Sequence, residues 1–178
     1  MFSPIERLPE HRLVWPGILW LALVPWASPA LAQDVIDTYR ARVTSVFDGD
    51  TVWVRPADGG RSRKLRIDGI DSPEICQTGG RPARDALRER LKNQTVWVHE
   101  RARDVYGRPL ATLTLDGENM AAWMVKQGWA WSYRWHGDPG PFAQEETSAR
   151  AKNKGIFGDA LAEEPRLFRH RNGPCQRR

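Results

Sequence analysis

Four carboxylates stand at two points of the chain: Asp48 and Asp50 bracket Gly49, and Asp71 and Glu74 lie in Asp71-Ser72-Pro73-Glu74. Hard carboxylate oxygens brought together from two neighbouring loops suit calcium or magnesium, and the absence of a nearby His or Cys cluster argues against zinc. The segment starting at Asp48 is not an EF-hand loop, because the glycine required at its sixth position is missing. Arg66 precedes Asp71, and Arg108 follows Tyr106-Gly107. A guanidinium can hold two phosphate oxygens at once, which an ammonium cannot. Hydrolysis of a phosphodiester needs a cation on the phosphoryl oxygens, fixed positive donors for the charge of the transition state, and a base to aim water at phosphorus. These residue types offer a candidate for each. Taken singly, each has an ordinary use: Asp-Gly as a hairpin turn, Asp-Ser-Pro-Glu as a loop before a helix, an arginine as a solvated surface. Their combination is what points to chemistry.

Something must bring these residues together. Residues 39–47 alternate and are rich in β-formers, Asp48-Gly49 reads as a hairpin turn, and Thr51-Val52-Trp53-Val54 resumes the strand pattern. Asp58-Gly59-Gly60 makes the next turn and residues 64–70 the third strand of a meander. On one unbroken strand Arg66 and Asp71 would face opposite ways, so their convergence requires a bend or bulge, for which Gly69 is the available place. Residues 82–91 switch to helical spacing through Ala83, Ala86, Leu87, Arg90 and Leu91. Residues 95–99 and 110–115 read as strands, residues 120–127 as a helix closed by Gly128, and residues 142–154 as a helix closed by Gly155. This order predicts an α+β fold, a five-stranded Greek-key OB-fold β-barrel with about three helices packed on it.

The series Asp48-Gly49-Asp50-Thr51, Arg66 with Asp71-Ser72-Pro73-Glu74, then Asp104-Val105-Tyr106-Gly107-Arg108 resembles the staphylococcal nuclease (thermonuclease) family. The resemblance runs over residues 43–158, taking in Asn119-Met120-Ala121, Gln127-Gly128 and Asn153-Lys154-Gly155-Ile156-Phe157. It implies a calcium-dependent hydrolase of DNA and/or RNA with little sequence specificity that leaves 3′-phosphate ends. In the roles it implies, Asp50 and Asp71 bind Ca2+ directly, the Ser72 backbone carbonyl is a further ligand and Asp48 is an outer-shell carboxylate. Glu74 is the general base, Arg66 and Arg108 hold the scissile phosphate, and Tyr106 and Tyr133 line the substrate groove. Two positions depart from the family pattern: Ser72 replaces a frequent threonine, and Val105 replaces a lysine that contacts phosphate. The alternative is a non-catalytic nucleic-acid-binding OB-fold module, which the loss of Glu74 or of either arginine would have favoured. An adhesion protein using its basic charge on envelope polymers leaves the carboxylate and arginine set without a purpose.

The remaining features bear on where such a protein works. Arg7 and Arg12 precede an apolar run over residues 13–23, and Ala30-Leu31-Ala32 offers a small-x-small cleavage site. Residues 1–32 are therefore expected to be a signal peptide, residues 33–162 the nuclease-like domain and residues 163–178 a basic tail. Export to the periplasm or medium follows, with no stable membrane insertion after cleavage and a monomer as the working unit. An uncleaved anchor would need a longer apolar run, unbroken by Pro16, Gly17 and Pro25. The formal net charge of +5 favours encounter with polyanions. Cys76 and Cys175 are a disulfide candidate in an oxidising compartment, with two free thiols as the alternative. If extended, Trp129, Trp131, Tyr133 and Trp135 share one face that could stack bases, although core packing is the favoured use of Trp129 and Trp131. The arginines after residue 165 either grip a nucleic-acid backbone or form a solvated tail.

Overall fold

The computed structural model describes residues 37–173 and 175. The leader expected at residues 1–32, and Arg177 and Arg178 of the basic tail, lie outside the described residues.

Strand β1 (Asp37–Val46) sends Ala41 and Val43 into the core while Arg40 and Arg42 stay outside. Its register with β2 (Thr51–Pro56) shifts between Val43 and Ser45, a bulge that bends the strand. Strand β2 buries Val52 and Val54, and β3 (Arg63–Ile67) buries Leu65 and Ile67. The two-residue β4 (Ile70–Asp71) follows at once. Helix α1 (Gly80–Leu91) buries Ala83, Leu87 and Leu91 in the same core, the i, i+4, i+8 spacing of one helical face. Strands β5 (Thr95–Arg103) and β6 (Pro109–Leu115) complete the sheet in the order β3-β2-β1-β5-β6, and a parallel β3–β6 pairing closes the five strands into a barrel. Closure pairs the two outer strands of this five-stranded sheet with each other.

The second half supports this barrel. After the short β7 (Glu118–Asn119), Asn119 caps α2 (Met120–Lys126) by accepting from the backbone N–H groups of Ala121 and Ala122. Helix α2 buries Met120, Ala121, Met124 and Val125. Strand β8 (Trp131–Ser132) pairs antiparallel with β4, and α3 (Ala143–Ala151) packs on α2. A 3₁₀ turn, Gly155–Gly158, and helix α4 (Pro165–Asn172) end the described chain.

Two features differ from the expectation. The third strand was expected over residues 64–70 with a bend or bulge at Gly69; the break there is complete, so that β3 stops at Ile67, the chain turns at Asp68-Gly69 and a separate β4 follows. Gly69 takes φ 80°, and a Cβ there would come within 2.9 Å of Phe142 and Pro141 side-chain atoms, so both conformation and space require glycine. A fourth helix, α4, stands within the tail. It is rich in arginine and buries only Pro165, so no apolar periodicity announces it. Among the described residues no helix is long and apolar enough to cross a membrane.

Candidate active site

The turn at Gly69 decides the geometry. It lets β4 fold back so that Asp71, opposite Trp131 in the β4–β8 pair, returns toward the Arg66 side chain. The Nη2 of Arg66 donates to Asp71 Oδ1 at 3.0 Å and to the Ile70 carbonyl at 3.2 Å, and its Nη1 lies 2.9 Å from the Asp50 carboxylate. Two carboxylates from separate loops are thus clamped by one guanidinium from the strand between them. Asp50 and Asp71 are only 4% and 5% exposed, so these pairs stand in a poorly solvated environment where charges interact strongly.

The first loop is shaped to fit. The Asp50 N–H donates to Asp48 Oδ1 at 3.0 Å, and the Thr51 hydroxyl donates to Asp50 Oδ1 at 3.0 Å. The Ser72 N–H reaches Asp50 Oδ2 at 3.2 Å, while the Ser72 hydroxyl donates to the Trp129 carbonyl at 2.9 Å. A Cβ on Gly49 would stand 1.9 Å from Ser72 Oγ and 2.7 Å from Ser72 Cβ. Glycine separates the two aspartates because the second loop packs directly against it, not because a turn needs positive φ there.

Charge in this cluster is unevenly matched. Burial first, and the neighbouring Asp50 carboxylate second, push Asp48 well above the ordinary carboxylate range. For Arg66, burial works against the charged form, but Asp50 and Asp71 outweigh it and raise the group above its usual value. A second cation comes from α4. The Nη1 of Arg169 donates to Asp71 Oδ1 at 3.1 Å and to Glu74 Oε1 at 3.0 Å, and its Nη2 donates to Asp71 Oδ2 at 2.9 Å. Arg169 too is raised by Asp71 and Glu74 against the opposing effect of its burial.

Helix α4 is held there by several ties. Cys76 and Cys175 form a disulfide, Gln77 Nε2 donates to the Glu163 carbonyl at 2.6 Å, and Arg134 bonds Glu164 at 3.1 Å while reaching the buried Glu146 at 2.6 Å. The residue could have been inferred: Cys76 lies two positions after Glu74, and a bridge to Cys175 brings the Arg-rich segment to the carboxylates.

Arg108 is placed differently. It lies two positions before Leu110, the residue that Arg66 faces across β3–β6, and its Nε donates to Asp104 Oδ2 at 2.7 Å. Asp104 Oδ1 also accepts from the backbone N–H groups of Tyr106 and Arg108, both at 2.9 Å. Burial would raise the Asp104 carboxyl, but these bonds and the Arg108 charge hold it below its ordinary value. The structure brings Asp48, Asp50, Arg66, Asp71, Ser72 and Glu74 into one network, whereas the hydrogen bonds of Arg108 go to Asp104. Asp104 is a positioning residue that sequence reasoning quoted without assigning it a role.

The expected groove residues separate likewise. Tyr106 is exposed, its ring 5.5 Å from the Arg108 guanidinium carbon. Tyr133 is exposed beside the site, its N–H bonded to the Gly69 carbonyl at 2.9 Å. Trp131 is buried edge-on against Phe157, and Trp129 packs on the core, so both serve as bulk.

Among the described residues no three His, Cys, Asp or Glu side chains close on one point. The donor chemistry nevertheless fits a hard divalent cation: every candidate ligand is oxygen, and a guanidinium already lies across both oxygens of Asp71.

A small closed barrel with helices on it, carrying a cluster of carboxylates crossed by arginines, defines the OB-fold class of this chain, and its relatives give the family. Residues 64–159 match the family model described as staphylococcal nuclease homologue. The chain is 37% identical over 161 residues to Protein ParB of Escherichia coli, covering 84% of this chain and 86% of that protein. It is 36% identical over 154 residues to an uncharacterized endonuclease of Escherichia coli O157:H7, with 85% and 95% covered. It is 34% identical over 176 residues to a micrococcal nuclease of Shigella flexneri, with 92% and 94% covered. The chain belongs to the staphylococcal nuclease family.

Proposed function

We propose that this protein is an exported, calcium-dependent nuclease that hydrolyses phosphodiester bonds of DNA or RNA with little sequence specificity and leaves 3′-phosphate ends. The chain is a phosphodiesterase of the nuclease class, in keeping with relatives that bear the names micrococcal nuclease and endonuclease. The observation that carries the reading is the clamp of Asp50 and Asp71 on one partly buried arginine, with Glu74 joined to it through Arg169.

Asp50 and Asp71 would hold the ion directly, with the Ser72 carbonyl as a further ligand and Asp48 in the outer shell. Bound calcium supplies Lewis-acid polarisation of a phosphoryl oxygen and offsets charge on the substrate. Glu74 takes the proton of the attacking water as general base. Arg66 and Arg108 donate to the non-bridging oxygens, where their hydrogen bonds strengthen as negative charge develops. Asp104 fixes the Arg108 guanidinium before substrate arrives, so little reorganisation is left for the reaction itself. Export is supported by the leader-like composition of residues 1–32.

The test is cleavage of 5′-labelled single-stranded DNA and RNA by the mature protein, with calcium and with chelator, followed by phosphatase treatment of the products. Cleavage restored by calcium, with fragments whose mobility shifts on removal of a 3′-phosphate, is the expected result. Cleavage that chelator leaves untouched overturns calcium dependence, and fragments insensitive to phosphatase overturn the end chemistry.

A further inference from the structure

The outer face of the barrel carries an arrangement that the hydrolytic steps do not use. Side chains alternate along a strand, so residues of β1, β2, β3 and β5 that do not enter the core form rows across the sheet. Trp53 of β2 lies opposite Lys64 of β3, Arg55 of β2 opposite Arg42 of β1, and Arg40 of β1 opposite Trp97 of β5. Arg66 of the carboxylate cluster stands two positions from Lys64 on the same face of β3. The rows therefore make a diagonal stripe that starts at the carboxylate cluster and runs across three strand spacings, roughly 20–25 Å from strand rise and separation. No carboxylate occupies an outward position in these rows.

Two properties of the stripe call for a ligand. Arg42 and Arg55 are exposed and directly opposed, and like charges so placed destabilise a sheet. Trp53 and Trp97 are 38% and 54% exposed, and the Arg40 guanidinium carbon lies 5.8 Å from the Trp97 ring centre. Phosphates would relieve the first, and stacked bases would cover the second.

We propose that this stripe is an extended track for single-stranded nucleic acid, with backbone phosphates on Arg40, Arg42 and Arg55 and bases stacked on Trp53 and Trp97. The proposal rests on the nuclease reading and deepens it: the enzyme grips several nucleotides to one side of the bond it cuts and favours unpaired strands, whose bases are free to stack. An acidic polysaccharide would meet the arginines and leave both indoles without a purpose.

The test uses the full mature chain carrying Glu74→Gln, so that the strand is not cut, with binding followed by fluorescence anisotropy in calcium. The probes are a labelled thymidine 12-mer, a thymidine dinucleotide, and heparin as a polyanion without bases. Two double variants are compared with the parent: Trp53→Ala with Trp97→Ala, and Arg42→Ser with Arg55→Ser. Each should weaken 12-mer binding tenfold or more and leave the dinucleotide unchanged, and the tryptophan pair should leave heparin unchanged. In the cleavage-competent chain the same pairs should raise KM for the 12-mer while kcat holds. Replacing both tryptophans by phenylalanine should restore most of the affinity, which separates loss of stacking from loss of folding. Unchanged 12-mer affinity in both pairs overturns the track. Equal loss of heparin and 12-mer binding in the tryptophan pair reduces the stripe to a plain polyanion patch and overturns stacking. Failure of the nuclease reading looks different: the 12-mer binds along the stripe, yet the chain with Glu74 intact never cuts it.

Discussion

Arg169 lies across both oxygens of Asp71, at 3.1 and 2.9 Å, although the two residues are separated by 98 positions. A guanidinium so placed satisfies the lone pairs that a divalent ion would use. A calcium ion held by Asp71 would therefore compete with Arg169, and its binding would include the cost of releasing that arginine. Arg169→Ala should tighten calcium binding about tenfold, equivalent to about 1.4 kcal/mol, in calorimetric titration. The same variant should unfold at a lower temperature in chelator, because buried carboxylates lose a partner. Unchanged calcium affinity would show that Arg169 stands clear of the ion.

The disulfide between Cys76 and Cys175 closes a loop with a sequence separation of 99 and tethers α4 beside Glu74. In the chain-entropy model such a loop stabilises by up to about 4.7 kcal/mol. Reduction, or Cys76→Ser with Cys175→Ser, should lower Tm and speed amide exchange in residues 165–172 before it affects the barrel strands. Calcium affinity should rise toward that of Arg169→Ala. Uniform acceleration of exchange throughout the chain would place the effect in global unfolding instead.

The Asp104 carboxylate holds Arg108 by accepting from its Nε and its backbone N–H, and it also accepts from the Tyr106 N–H. Asp104→Ala should lower kcat by about 10- to 100-fold for an intact fold, the range expected when a transition-state donor is mispositioned. The pH dependence has a definite sign. Because the folded carboxyl titrates below its ordinary value, its contribution is complete above about pH 3.9, the unfolded value, and is lost as pH falls through the lower folded value. Order in the 104–108 turn, followed by the Tyr106 amide resonance, should persist at pH 5 and disappear only below about pH 3.9. Loss of that order nearer pH 5 would contradict the assignment.

Much of this was legible in the chain because the barrel strands alternate cleanly and their inward residues are aliphatic, as with Val52 and Val54 or Leu65 and Ile67. The carboxylates and Arg66 were legible because residue type limits their chemistry, and the need for a break near Gly69 followed from strand geometry. What escaped is what depends on distant contact. Arg169 reaches the site through a helix with almost no apolar face, fixed by a disulfide and polar ties, which periodicity does not register. Asp104 escaped because an aspartate before a turn has a routine local use, and only the structure shows its second oxygen on Arg108.

Gly49 tests the packing of the two acidic loops. Its missing Cβ leaves the room occupied by Ser72, and a methyl there would meet both Oγ and Cβ of that residue. Gly49→Ala should destabilise the fold by about 1–3 kcal/mol, as over-packing does, and weaken calcium binding through displaced Asp50. Chemical denaturation together with calcium titration measures both. Ser72→Ala should not rescue the variant, since its Cβ remains in place, and full rescue would contradict the contact.

The most direct measurement is the single-turnover rate of single-stranded DNA cleavage as calcium is titrated, for the wild type beside Glu74→Ala, Arg108→Ala and Asp71→Asn, each shown to be folded. A wild-type rate that rises with calcium to saturation is the expected result, with Glu74→Ala and Arg108→Ala lowered by orders of magnitude at saturating ion and Asp71→Asn requiring far more calcium. A folded wild-type protein that binds the strand and cuts it at no calcium concentration, or variants that cut as fast as the wild type, would contradict the assignment of this site as a calcium-dependent nuclease centre.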